Sequence, residues 1–209
     1  MKLRSFSWIW MLVGIVGLSE IHAQDTPAPR PLQISFYDNA TLFPGSDQWG
    51  VWGLPVHPGV TLGTEFYYRK QSSSDVFQSV RVGYHFQRFI QHSVLLYSEL
   101  GYRQKWNRIS LEGRLGGGYL HAISASPIYR QTSNGSFERT GRLGRPQALV
   151  SLAVGPAFRI AGTETNPVWL FLQYQAYLQL PFVGQYIPIL PNTALHLGLS
   201  IPLLKTSRS

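Results

Sequence analysis

Residues 195–203 read Leu-His-Leu-Gly-Leu-Ser-Ile-Pro-Leu, the clearest two-residue alternation in the chain. Leu195, Leu197, Leu199, Ile201 and Leu203 recur at every second position. Side chains of a β-strand alternate between faces, so a two-residue period puts these on one face and His196, Gly198 and Ser200 on the other. A helix would need apolar residues three and four apart.

The same beat runs outward through the chain. It predicts strands near 31–37, 59–69, 76–87, 93–105, 108–124, 147–160, 168–182 and 193–204. The linkers 70–75, 106–107 and 161–167 are short, whereas 38–58 and 125–146 are long. The remaining linkers, 88–92 and 183–192, fall at the same end as the long ones. All short turns at one rim and the long loops at the other is the pattern of an eight-stranded membrane barrel with both termini in the periplasm.

Assigning faces gives a consistent outer set. It holds Val60, Leu62, Phe66, Val80, Val82, Tyr84, Leu96, Leu100, Leu111, Leu115, Val150, Leu152, Val154, Leu170, Leu172 and Leu178. The opposite set holds Glu65, Arg81, Glu99, Arg103, Glu112, Arg114, Arg159, Gln173, Gln175 and His196. An ionised group on a lipid face costs ~2–4 kcal/mol near the midplane. The segregation therefore predicts an all-β, eight-stranded, antiparallel, up-and-down transmembrane barrel, closed around a polar interior. Inside it, Glu65, Glu99 and Glu112 with Arg81, Arg103, Arg114 and Arg159 read as an ion-pair network that holds register, because buried charges have to pair. A gated pore is the sharper reading of the same residues. A soluble eight-stranded ligand carrier would put the two faces the other way round.

Aromatic residues mark the expected membrane boundaries. Phe66, Tyr68, Tyr102 and Phe158 lie at the short-turn ends, and Tyr84, Phe86, Tyr119 and Phe182 near the long-loop ends. Gly116, Gly117 and Gly118 sit within one strand, where they relieve crowding or permit strong curvature. Pro156 and Pro202 each suggest a bulge or an irregular strand end.

Composition agrees with a lipid-facing surface. Charged residues make up 13% of the 209-residue chain, against roughly a quarter in soluble domains. There is no cysteine, which excludes disulfides, thiolate metal sites and a lipoprotein anchor. Lys2 and Arg4 precede an apolar run from Trp8 to Leu18, too short to span a bilayer comfortably. With Ile21-His22-Ala23 following, residues 1–23 read as a signal peptide, 24–30 as a periplasmic leader, 31–204 as the barrel and 205–209 as a periplasmic tail. Loss of Lys2, Arg4 and Glu20 takes the formal charge from +8 to +7. An exported basic chain meets lipid phosphate and acidic glycans rather than nucleic acid.

The final strand resembles the closing signal of bacterial outer-membrane proteins. His196 supplies its polar residue, Gly198 its glycine, and Ile201 and Leu203 its hydrophobics, while the usual last aromatic is absent. With the strand map, the chain resembles small barrels of OmpA/OmpX type, in the style of Bacteroidota outer-membrane proteins. The resemblance implies residence in the bacterial outer membrane and assembly by the barrel-insertion machinery.

Candidate chemistry is sparse. The 125–146 loop carries Arg130, Arg139, Arg142 and Arg145 against Glu138, and arginine forks bind phosphate bidentately, which suits lipopolysaccharide. The first long loop holds Leu42, Phe43, Trp49, Val51, Trp52, Leu54 and Val56, suited to covering the barrel mouth or docking an envelope protein partner. Two lipid A-modifying enzymes share this barrel size. The deacylase uses a His-x-Ser pair, but here His121-Ala122-Ile123-Ser124 puts Ser124 on the opposite face from His121. The acyltransferase uses His, Asp and Ser, and His57, Asp47 and Ser46 share the first long loop. No catalytic residue is assigned. No metal cluster, nucleotide motif or other cofactor signature is visible. The expected role is structural or interaction-based, in envelope integrity, surface contact or partner docking. The alternatives are a lipid A enzyme and a narrow porin-like channel or small-ligand carrier.

Overall fold

A computed structural model describes residues 30–41, 56–88, 90–140, 143–163, 166–182 and 187–203. The signal and leader segments up to residue 29, most of the first long loop, Arg142 and the tail from 204 lie outside them.

The strands are β1 (Pro31–Ala40), β2 (Pro58–Lys70), β3 (Ser74–Gln87), β4 (Gln91–Trp106), β5 (Ile109–Ser124), β6 (Ile128–Gln131), β7 (Phe137–Thr140), β8 (Arg145–Gly162), β9 (Pro167–Leu180) and β10 (Leu190–Pro202). Eight of them close into one antiparallel barrel, each beside its neighbour in sequence, and β6 and β7 form a separate hairpin between β5 and β8. Closure is made by β1 on β10, from Pro31↔Pro202 to Ala40↔Thr193. Closing the sheet satisfies every strand edge, which a bilayer demands.

The wall is apolar outside. Leu152 is 61% exposed, and Leu62, Val82, Leu96, Leu100, Leu115, Val154, Leu172 and Leu197 are exposed with it. The inner face of the same strands is buried and polar, and Glu99 is fully buried. A soluble carrier would show the reverse, so that reading is excluded.

Local chemistry fixes the short turns. Asn107 has φ 53° in the β4–β5 turn, a left-handed conformation that Asn tolerates better than most residues. Gly162 has φ 81° where β8 ends. Pro156 leaves a gap in pairing with β9 but does not shift register: Val154↔Tyr174 and Ala157↔Phe171 lie in phase on either side. The bulge in β8 comes later, between Arg159 and Ala161. Pro202 stands at the strand end, opposite Pro31.

The glycines of β5 let β4 approach. A Cβ at Gly116 would stand 2.1 Å from the Ser98 carbonyl oxygen and 2.6 Å from Glu99 Cα. Both are backbone atoms, so no rotamer change relieves the clash. Gly116→Val is expected to destabilise the barrel by at least ~1–3 kcal/mol, the usual penalty of overpacking. Heat-modifiable gel migration checks this: the compact band should melt at lower temperature.

Candidate functional site

The lumen holds one connected charge cluster in its short-turn half. Glu65 on β2 accepts from Arg103 Nη2 at 2.9 and 3.0 Å, Arg114 Nη2 at 2.9 Å, Gln33 Nε2 at 2.7 Å and the Tyr67 hydroxyl at 2.7 Å. Glu112 accepts from Arg103 Nε and Arg114 Nη2, each at 2.6 Å. Asp75 receives Lys105 at 2.8 Å and lies 3.6 Å from Arg103 Nη1. The Phe77 ring has both guanidinium carbons 4.8 Å from its centroid, a cation–π contact on each.

A looser pair sits above. Arg81 Nε lies 3.8 Å from Glu99, while its Nη atoms donate to Gln173 and Gln33 at 3.0 Å each. Glu99 also takes Ser151 at 3.0 Å and Gln175 at 3.1 Å. The cluster thus sets Glu65, Asp75, Glu99 and Glu112 against Arg81, Arg103, Lys105 and Arg114, an equal count of each sign. Asp75 and Lys105 were missed in the sequence because both sit where a strand meets a turn. Arg159 stands half-buried at the short-turn rim, where it lines a shallow cavity with Arg108.

Toward the long-loop end the lumen is packed with side chains. Tyr37, Leu95, Tyr97, Leu120, Ala122, Leu149, Tyr177 and Ala194 form a buried cluster. Amides close it above: Gln91 donates to Gln179 at 3.2 Å, Tyr177 to Asn39 at 2.7 Å, and Gln87 to Thr41. Such a lumen presents side chains where a channel needs water.

His196 is buried beneath this layer and stacks on Tyr37, with ring centroids 4.4 Å apart. Its Nε2 faces Gln175 Oε1 at 3.1 Å, an oxygen that only accepts, so Nε2 carries the hydrogen. Nδ1 then accepts from Ser35 at 3.1 Å, and Ser35 pairs with Thr61 at 2.6 Å. This has the connectivity of a hydrolase relay, but Ser35 and His196 are both buried in the barrel wall's interior. The chain of hydrogen bonds ties β1, β2, β9 and β10 together. Gly198 packs beneath Phe171, while Ile201 and Leu203 face outward.

His121 points outward at the other end. Its Nε2 lies 2.8 Å from the Leu143 carbonyl, and Nδ1 lies 2.7 Å from the Tyr119 hydroxyl. Both ring nitrogens are engaged, and Ser124 Oγ donates to the Ser126 carbonyl at 2.8 Å. The pair does not form a nucleophile and base. Of the acyltransferase-like trio, Asp47 and Ser46 lie outside the described residues. The His57 backbone N–H donates to Asp38 at 2.7 Å.

The loop between β5 and β8 is ordered as a hairpin. β6 and β7 pair from Ile128↔Thr140 to Gln131↔Phe137, with Gly135 at φ 83° in the turn. Thr132 and Ser136 bind across the turn through hydroxyls and backbone. Tyr129 is 59% and Phe137 69% exposed, and Leu143 beyond the hairpin is 89% exposed. Arg130 and Arg139 occupy hairpin positions, opposite Glu138 and Tyr129. Arg145 is not part of the hairpin. It opens β8, donates to the Phe182 carbonyl at 3.0 Å and lies over the Phe182 ring at 5.5 Å.

No protein-family model matches the chain, and no curated protein does. Several solved structures are similar in fold. The Ail attachment invasion locus protein of Yersinia pestis, solved with the heparin analogue sucrose octasulfate, is 15% identical over 85% of this chain and 100% of its own, with TM-score 0.47. Neisserial surface protein A is 9% identical over 83% and 97%, with TM-score 0.49. The outer-membrane enzyme PagL is 13% identical over 82% and 99%, with TM-score 0.45.

An apolar wall around a charge-balanced core defines a membrane-spanning barrel. Closed antiparallel barrels of eight strands with this outward alternation belong to the bacterial outer membrane, and the protein is of that class.

Proposed function

We propose that the protein is a non-conducting outer-membrane barrel with a structural or interaction role, in which the wall anchors the β6–β7 hairpin as a contact surface. The observation that carries this reading is the filled lumen beneath an ordered, exposed hairpin. The long connections then face outward from the cell and the short turns face the periplasm. In the same reading residues 1–23 are removed on export, 24–30 lead into the barrel and 205–209 trail from it.

The hairpin's partner is an acidic envelope surface, lipopolysaccharide first among them. Arg130 and Arg139 of the hairpin, with Arg142 and Arg145 following it in sequence, are the phosphate-binding forks of this reading, and Tyr129 and Phe137 add apolar contact. An envelope protein could use the same surface, and the barrel-insertion machinery would read the final strand. Replacing the four arginines by glutamine is expected to lower lipopolysaccharide retention on the purified barrel by about tenfold or more, since each charged hydrogen bond contributes over ~1 kcal/mol. Unchanged retention contradicts the hairpin's assignment.

Planar bilayers separate this reading from a channel. The packed lumen predicts no stable conductance steps, and steps that scale with salt would overturn the non-conducting reading. A lipid A mass spectrum with and without the protein addresses the enzyme reading, and the same spectrum is expected in both.

A further inference from the structure

His121 is no catalytic base, yet its ring is held at both nitrogens. At the long-loop end β5 alternates between Leu120 and Ala122, buried in the lumen cluster, and Tyr119, His121 and Ile123, which point outward. The Leu143 carbonyl only accepts, so His121 Nε2 carries the hydrogen and donates to it at 2.8 Å. Nδ1 then accepts from the Tyr119 hydroxyl at 2.7 Å.

The residue after Leu143 suits this contact. Gly144 has φ 72°, a conformation that glycine adopts at no steric cost. A Cβ there would stand 2.7 Å from His121 Nε2, 2.7 Å from the Ala122 carbonyl oxygen and 3.0 Å from Ile123 Cγ1. β8 begins at the next residue, with Arg145 opposite Ala122 and Pro146 opposite His121. The His121 ring and Ile123 project from the outer face of β5. The chain they touch therefore enters β8 along the lipid side of the rim and not across the mouth.

Leu143 is 89% exposed in that position. A lone surface leucine needs no explanation, but this one has a setting. Outward Tyr119 and Ile123 stand beside it on β5, and Val94, which pairs with His121, is exposed on β4. These residues are the upper edge of the wall that the bilayer covers, at the level where tyrosine marks the headgroup boundary. The surface around Leu143 is thus continuous with an interface that lipid occupies. The other end of the same loop is tied to the rim as well: the Ala125 N–H donates to the Ile90 carbonyl at 3.1 Å.

We propose that Leu143 is a lipid anchor, latched by His121, that seats in the acyl-chain edge of the leaflet at the long-loop rim. Its partner is the apolar part of a lipid, whatever the headgroup. Together with the Ala125–Ile90 contact it holds the hairpin at both feet, so the hairpin stays close to the leaflet instead of swinging free. The anchor rests on the membrane-spanning barrel and not on the hairpin's arginines. Its test and the lipopolysaccharide test therefore fail separately.

The experiment uses the full barrel in phosphatidylcholine vesicles. The chain has no native cysteine, so Leu143→Cys, Asn134→Cys in the hairpin turn and Leu115→Cys in the wall each take a single NBD fluorophore. A nitroxide near the top of the acyl chains quenches a label seated in lipid, and iodide quenches one in water. At 143 the nitroxide should quench several-fold more than iodide does, as at 115, with the reverse at 134. His121→Phe keeps a ring but removes the donor. It should expose the label at 143 to iodide while the label at 115 stays in lipid, which shows an intact barrel. Gly144→Val should do the same by displacing the segment, and serves alone if the first variant does not fold. Iodide reaching 143 as fully as 134 overturns the proposal. A lipid-seated label indifferent to the variants overturns it too, because the latch would then hold nothing. Shielding from both quenchers also overturns it and points to a second protein surface. Both leaflets of the vesicle are alike in composition, so the outcome does not depend on which rim faces the periplasm.

Discussion

Replacing Glu65 by alanine is expected to lower the unfolding free energy of the barrel by about 3–5 kcal/mol, the scale of breaking a buried ion pair. Glu65 takes Gln33, Tyr67, Arg103 and Arg114 at once. Its loss leaves two guanidiniums with one fewer counter-charge in a region where neither can reach water. The lumen's sign balance is also broken. Glu65→Gln keeps a side-chain acceptor and should cost less. Adding Arg114→Met to Glu65→Ala removes the orphaned charge and should recover part of the loss, because an apolar residue replaces a buried cation without leaving it unpaired. Urea titration in lipid vesicles reads all three. The ordering distinguishes a charge-balanced network from simple packing, which would make the double variant the least stable.

Leu152→Arg has the second large effect. Leu152 lies outward near the middle of β8, opposite Leu115 and Ala176. A cation there is expected to cost ~2–4 kcal/mol in a bilayer, falling to ~0–1 kcal/mol for the equivalent change near the rim at Phe158. The gradient matters more than either value. A water-facing wall would tolerate both changes alike. The same vesicle titration measures it.

Much of this was legible because the lipid forces alternation to be strict. Leu195 to Leu203 and Val150 to Val154 carry the period without interruption, and their outward placement follows from it. The inward charges were legible for the same reason: Glu65, Glu99, Arg103, Glu112 and Arg114 fall at odd spacing from an outward leucine, and Arg81 falls between the outward Val80 and Val82. The fold's less regular parts were not. Ile128–Gln131 and Phe137–Thr140 are four-residue strands with mixed polarity, too short to show a period, although Ser133-Asn134-Gly135 marks their turn. Inward Tyr37, Tyr97 and Tyr177 look in sequence like the outward Tyr84 and Tyr119, because tyrosine suits a packed lumen and a membrane boundary equally. The bulge between Arg159 and Ala161 was likewise hidden, because parity cannot report an inserted residue. Sealing is also invisible in sequence: Ser35, His196 and Gln175 could have been a relay anywhere but inside a closed wall.

The most direct measurement is oxygen and nickel-chelate accessibility of spin labels placed one at a time along β10, which the absence of native cysteine makes clean. Labels at 197, 199 and 201 should report lipid oxygen, with labels at 198 and 200 shielded, a two-residue period across the bilayer. The reverse phase, with 198 and 200 in lipid, or no period at all, would contradict a barrel that turns its leucines to hydrocarbon and its charges to the core.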